Sequence, residues 1–148
     1  MTQEDKELLL KDLCGRLPYG VKCYAYQFKI DGNHCECNGT LDYIHGNYFY
    51  LKDRVSVNNG KTYEDRYLDI KPYLRPMTSM TEEERKELDR LGLCEDNAFH
   101  EDIYGNGVFY DDATEVFDYL NSHYFDYRGL IEKGLAIEVT EENNPYKD

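Results

Sequence analysis

Between Val21 and Ile30 the chain alternates, with Tyr24, Tyr26, Phe28 and Ile30 at every second position. Side chains two residues apart share a face only in an extended strand. Asp31-Gly32-Asn33-His34 then reads as a turn, and Cys35 to about Ile44 as a second strand. Closing that turn as a hairpin sets Ile30 opposite Cys35, Phe28 opposite Cys37 and Leu41 opposite Tyr24, which puts one apolar face together. A chain holding this pair must build an antiparallel sheet and find something to cover its apolar side.

The flanking sequence extends the sheet and supplies the cover. His45-Gly46-Asn47 turns into Tyr48–Leu51, and Val55–Val57, Asn58-Asn59-Gly60 and Thr62–Ile70 read as a further hairpin. Pro72 and Pro76 mark the end of the sheet region. Before it, Thr2 to Cys14 reads as a helix with Thr2 and Asp5 as capping box, Leu9, Leu10, Leu13, Cys14 and Leu17 on one arc, and Gly15 and Pro18 as stops. After it, Thr81 and Glu84 cap a short, mostly exposed helix ending near Leu91 and Gly92. Ile103-Tyr104, Asn106-Gly107 and Val108–Tyr110 suggest a small hairpin. Asp112 to Tyr124 has the best helical period, with Ala113, Val116, Phe117, Leu120 and Tyr124 in line. Asp126 is placed to cap a short helix from Tyr127 to Lys133, closed by Gly134, and Leu135–Val139 reads as a last strand. The expectation is one α+β domain over 1–148: an N-terminal helix, an antiparallel meander and C-terminal helices packed on it, with 140–148 as a frayed tail.

Composition narrows the partners. The chain has 148 residues, 30 acids against 17 Lys and Arg, and a net charge of −13. Phosphate backbones and anionic membranes repel such a surface, so direct nucleic-acid or membrane binding is not expected. No apolar run nears the roughly 20 residues of a membrane span, and the first residues lack the pattern of a secretion signal. The expected compartment is the cytoplasm, with the five cysteines reduced. Fifteen tyrosines and no tryptophan point to a tyrosine-rich sheet, since Tyr suits half-buried strands and binding faces alike.

Chemical signatures are partial. His34-Cys35-Glu36-Cys37 offers two thiols on one strand face, but Cys23 falls opposite Asp42 on the other face, and CxC without a second pair reads better as core. Asp102 to Ala113 fits positions 1, 5 and 6 of a calcium loop and fails positions 3 and 12. The four histidines are scattered and no nucleophile elbow exists; His123, near a helix end, reads as a structural imidazole favoured by the helix dipole. The last two helices have the outline of a helix-turn-helix, yet their exposed positions include Asp118, Asp126, Glu132 and Arg128, where a recognition helix should be basic. No cofactor or metal is expected, and the chain reads as a non-enzyme more than as an enzyme.

Two stretches carry a resemblance: Tyr73-Leu74-Arg75-Pro76-Met77-Thr78-Ser79-Met80-Thr81, and Asp118-Tyr119-Leu120-Asn121-Ser122-His123-Tyr124-Phe125-Asp126-Tyr127-Arg128-Gly129-Leu130-Ile131. Together they resemble a family of small uncharacterised proteins from gut bacteria and their phages or mobile elements, with Tyr119 standing where the family has Trp and Tyr124 where it has His. The resemblance implies phage or mobile-element biology and brings no activity with it. Charged or titratable groups within these stretches, Arg75, His123, Asp126 and Arg128, with Tyr73 and Tyr127 beside them, are the candidate ligand- or partner-binding residues.

Three readings follow: an acidic protein-interaction or regulatory protein working through a protein partner, with a basic partner as one option; a small enzyme or ligand binder with a dispersed polar site; and an acidic nucleic-acid mimic that inhibits a DNA-binding protein. All three agree on one outcome. In a salt series of electrophoretic shifts, the chain should not retard duplex DNA in the usual non-specific range of about 10⁻⁴ to 10⁻⁶ M at physiological salt. Retardation that falls steeply as salt rises would refute the charge argument.

Overall fold

The computed structural model describes residues 2–28, 34–57, 66–67, 69–91 and 113–147. The turn at 31–33, the Asn58-Asn59-Gly60 turn, the Gly92 cap, the 103–110 hairpin, the 102–113 calcium-like loop and the Asp112 cap lie wholly or mainly outside these residues. The element order is α1 (Gln3–Arg16), β1 (Lys22–Phe28), β2 (His34–His45), β3 (Tyr48–Ser56), β4 (Arg66–Tyr67), β5 (Asp69–Leu74), α2 (Glu82–Arg90), α3 (Ala113–Ser122) and β6 (Ile137–Glu138). This is an α+β fold.

The sheet order is β4-β3-β2-β1-β5-β6, antiparallel except for β6, which runs parallel to β5. In a flat sheet β4 and β5 would stand four strand spacings apart, about 19 Å. Only Leu68 separates them in sequence, and two residues of extended chain reach roughly 7 Å. The sheet therefore curls until the segment 66–74 pairs with β3 at its start and with β1 further on. Cys23, Ala25, Cys37, Leu41, Phe49, Leu51, Tyr67 and Ile70 fill the interior, covered by Leu9 and Leu13 of α1. Tyr24, Tyr26, Tyr43, Tyr48, Tyr50, Tyr67 and Tyr73 all lie in strands, as the composition suggests.

Closure decides the register of the first hairpin. Ala25, not Phe28, stands opposite Cys37; Tyr24 meets Asn38; and Cys23 meets Gly39. The slip from the expected pairing is odd-numbered, so it exchanges the two faces. Cys23 and Ala25 point inward with Cys37, while Tyr24 and Tyr26 sit half-buried on the outside. With Leu41, Phe49, Leu51 and Tyr67 already in the interior, β1 has room there only for small residues, and tyrosine hydroxyls keep a polar neighbour outside. Gly39 sits where the β2–β3 register shifts. A Cβ there would fall 3.0 Å from the Lys52 carbonyl oxygen and 3.1 Å from Leu51 Cβ, so this close approach requires glycine.

Helix α1 runs through Gly15 to Arg16, and the left-handed stop comes at Gly20 (φ 67°), after a 3₁₀ turn that contains Pro18. Its inward residues are Leu9, Asp12, Leu13 and Arg16, while Leu10 and Cys14 face out. Both capping boxes form, Thr2 with Asp5 and Thr81 with Glu84. Helix α3 joins α2 in a second apolar cluster of Leu88, Val116, Leu120, Phe125 and Tyr127, and the sheet core takes Leu130, Leu135 and Ala136 instead. The expected helix from Tyr127 is a set of turns, since Gly129 takes a left-handed φ of 75°.

Pro72 lies within β5, opposite Cys23, instead of ending the sheet. The next pair, Lys22 with Tyr73, is bridged by Tyr146: its hydroxyl accepts the Lys22 N–H (3.0 Å) and donates to the Tyr73 carbonyl (2.7 Å). The ring stacks on Tyr124, centroids 3.8 Å apart. Within the tail read as frayed, Tyr146 is thus tied to β1 and β5. Tyr146→Phe strands one donor and one acceptor, and should lower unfolding free energy by about 1–3 kcal/mol in urea titration. An unchanged midpoint would show that the bridge contributes nothing.

Candidate functional site

The six residues singled out in sequence fall into separate surroundings. Arg75 follows β5, where its N–H donates to the Tyr124 carbonyl (2.7 Å) and its carbonyl accepts the Asp126 N–H (2.8 Å). The guanidinium forks onto Glu84 (2.7 and 2.8 Å), donates to the Ser79 carbonyl (3.2 Å) and hydroxyl (3.3 Å), and lies 4.2 Å from the Phe125 ring centroid. Bidentate geometry of this kind is the strong form of the pair. Glu84 also accepts the Thr81 N–H, closing the α2 cap. The Arg75 hydrogen bonds hold the Glu84 carboxyl down to about 2, against the opposing effect of burial. Arg75 thus braces α2 to β5 with its donors already engaged.

His123 follows α3. Its ring stacks on Tyr119 at 4.1 Å, and Nδ1 lies 3.0 Å from the Tyr119 carbonyl. The helix ends in a Schellman motif: Phe125 N–H returns to the Leu120 carbonyl (3.0 Å) and Tyr124 N–H to that of Asn121 (3.1 Å). The left-handed position is held by Tyr124 (φ 63°) instead of glycine, at a cost of about 1–2 kcal/mol. Its hydroxyl bond to the Tyr19 carbonyl (2.5 Å) and the Tyr146 stack offset that strain. Arg75, Ser122, His123, Tyr124, Asn144 and Tyr146 line a shallow depression of about 380 Å³.

Tyr127 and Arg128 belong to a different cluster. Arg16 and Asp12, neighbours on the inner face of α1, are both fully buried. Arg16 Nε donates to Asp12 Oδ2 (2.8 Å), and Nη2 donates to Oδ1 (3.1 Å) and to the Phe125 carbonyl (2.6 Å). Arg128 reaches the same carboxylate, Nε to Oδ1 at 3.3 Å. Both guanidinium carbons lie over the Tyr127 ring, at 5.2 and 5.0 Å, and the Tyr127 hydroxyl donates to Asn121 (2.8 Å). Two residues have local duties: Asp126 accepts the N–H groups of Leu130 and Ile131 (both 2.9 Å), and Tyr73 donates to Asn38 Oδ1 (2.6 Å) while burial pushes its phenol up.

A larger opening lies elsewhere, and none of the candidate residues touches it. At the mouth of the curled sheet, α1 leaves a groove of about 510 Å³ floored by Leu9, Phe49 and Ile70 and rimmed by Gln3, Lys6, Glu7, Leu10, Asn47 and Asp69. Leu10 is 38% exposed at its lip. The sequence places Leu10 on the apolar arc of the first helix, so nothing in the sequence marks this groove. Among the described residues no group of three or more His, Cys, Asp or Glu is placed to hold a metal. The Cys23 thiol is inward and buried, and burial, then the charge of Asp12, pushes its pKa far up. No helix among the described residues is long and apolar enough to cross a membrane.

No family model, curated protein or solved structure matches the chain.

The Arg75–Glu84 brace makes a pH prediction. A carboxyl depressed from 4.5 to about 2 by folding adds stability that is complete above 4.5 and fades as pH falls toward 2. The stability gap between the protein and Glu84→Gln, measured by urea unfolding, should therefore shrink across that window. A gap that stays constant from pH 6 to about pH 2 would remove the brace from the account.

Proposed function

We propose that this protein is an acidic, non-enzymatic interaction or regulatory protein of the phage or mobile-element kind, acting in the cytoplasm by binding a basic protein partner. The groove between α1 and the sheet mouth carries this reading. Its apolar floor and exposed Leu10 suit an aliphatic or aromatic side chain of a partner. Glu7 and Asp69 on the rim, with a net charge of −13 behind them, favour basic residues flanking that side chain; Lys6 opposes them only in part. Charge of this sign speeds encounter and selects the partner, while the apolar anchor supplies affinity.

A second reading rests on the same opening. A concave site of this size with a few convergent polar groups at a barrel mouth also suits a small apolar ligand. The two differ in salt dependence, because screening weakens attraction between exposed charges beyond about 8 Å at physiological ionic strength.

Leu10 is exposed, so Leu10→Glu should leave the fold intact and block the groove. A partner captured from host lysate and identified by mass spectrometry should be basic, should bind more weakly as salt rises, and should lose at least tenfold in affinity against Leu10→Glu. Equal binding to the variant, or affinity independent of salt, would rule out the groove as the docking site for a basic partner.

A further inference from the structure

Asp12, Arg16 and Arg128 form a contact cluster of two cations on one carboxylate. Arg16 and Asp12 are fully buried, and the Arg128 side chain is 25% exposed. The Phe125 carbonyl and the Tyr127 ring temper the excess positive charge, but they do not use up its donors. Two buried nitrogens, Arg16 Nη1 and Arg128 Nε, have no hydrogen-bond acceptor among the described residues. For Arg128 Nε the Asp12 oxygen is near enough for an ion pair only. Buried charged donors are costly to leave unpaired, and native interiors hold few of them.

The two guanidiniums are neighbours. They share Asp12 Oδ1 as a contact and lie over the same Tyr127 ring at similar distances. One more acceptor placed between them would pair the orphan donors and bring the cluster to neutrality. Guanidinium groups match planar or tetrahedral oxygen acceptors better than any other side chain does. The Arg128 side chain, 25% exposed, borders solvent and gives the cluster its approach.

We propose that the Asp12–Arg16–Arg128 cluster is an anion-binding site that takes one oxyanion group, a carboxylate or a phosphate. The site is independent of the groove at the sheet mouth and shares no residue with it. With a net charge of −13 repelling anions at long range, occupancy depends on short-range hydrogen bonds and weakens little with added inert salt.

The test uses the full chain labelled with ¹⁵N, following the arginine Nε–H resonances while inorganic phosphate or acetate is added against chloride at matched ionic strength. The expected result is a saturating shift of the Arg16 and Arg128 signals together. In Arg128→Gln the Arg16 shift should be lost. Saturation with acetate alone assigns the site to a carboxylate, and with phosphate alone to a phosphate. No saturable shift with either anion means that buried water meets the orphan donors, and the proposal fails. It fails equally if the Arg16 shift persists in a folded Arg128→Gln. Should that variant not fold, the titration of the unsubstituted protein decides by itself.

Discussion

One covalent constraint organises this molecule: the segment from Arg66 to Leu74 has to serve both edges of the same sheet. It pairs with β3 at its start and β1 further along, with a single residue between the two pairings. Everything near it adjusts to that. The sheet curls, its interior narrows, small residues such as Cys23 and Ala25 face inward, and Gly39 sits where a side chain would press on β3. Closure also consumes edges that would otherwise stay open for pairing with other chains. The β1–β5 ladder runs out at the Cys23–Pro72 pair, and beyond it the Tyr146 hydroxyl links the Lys22 N–H to the Tyr73 carbonyl.

The second half of the chain is fastened by polar contacts as much as by apolar ones. Arg75 ties β5 to α2 through Glu84 and to the turn after α3 through its backbone. Arg16 ties α1 to the same turn through the Phe125 carbonyl. The Phe125 region therefore sits between two arginines, one stacked on its ring and one bonded to its backbone. Removing one member of a buried charged pair costs about 3–5 kcal/mol, whereas apolar replacement of both members is often neutral.

These features divide the candidate residues by role. Arg75, Tyr73 and Asp126 spend their polar groups on neighbours inside the fold. Arg128 and Tyr127 stand with Arg16, and that cluster keeps donors in reserve. The groove at the sheet mouth has apolar floor residues and charges at its rim, the usual division of labour in an interface.

Local signals sufficed for several elements. The caps at Thr2 and Thr81, the periodic helix through Val116 and Leu120, and the alternation after Val21 each depend on residues a few positions apart, and the structure contains all of them. The α+β class followed from those elements together. Tertiary contacts decided the rest. The hairpin register slipped to the opposite face because interior width, which no local pattern encodes, admits Cys23 and Ala25 but not Tyr24 and Tyr26. Asp12 and Arg16 turned inward because Arg128 and the Phe125 carbonyl, more than a hundred residues away, meet them there. The candidate residues were legible as types, but their grouping was not, since Arg75 and His123 face one depression and Tyr127 and Arg128 another environment. The groove was hidden for the same reason: it exists only once α1 lies across the mouth of a closed sheet, and a sequence specifies strand periodicity locally while closure is a property of distant pairings.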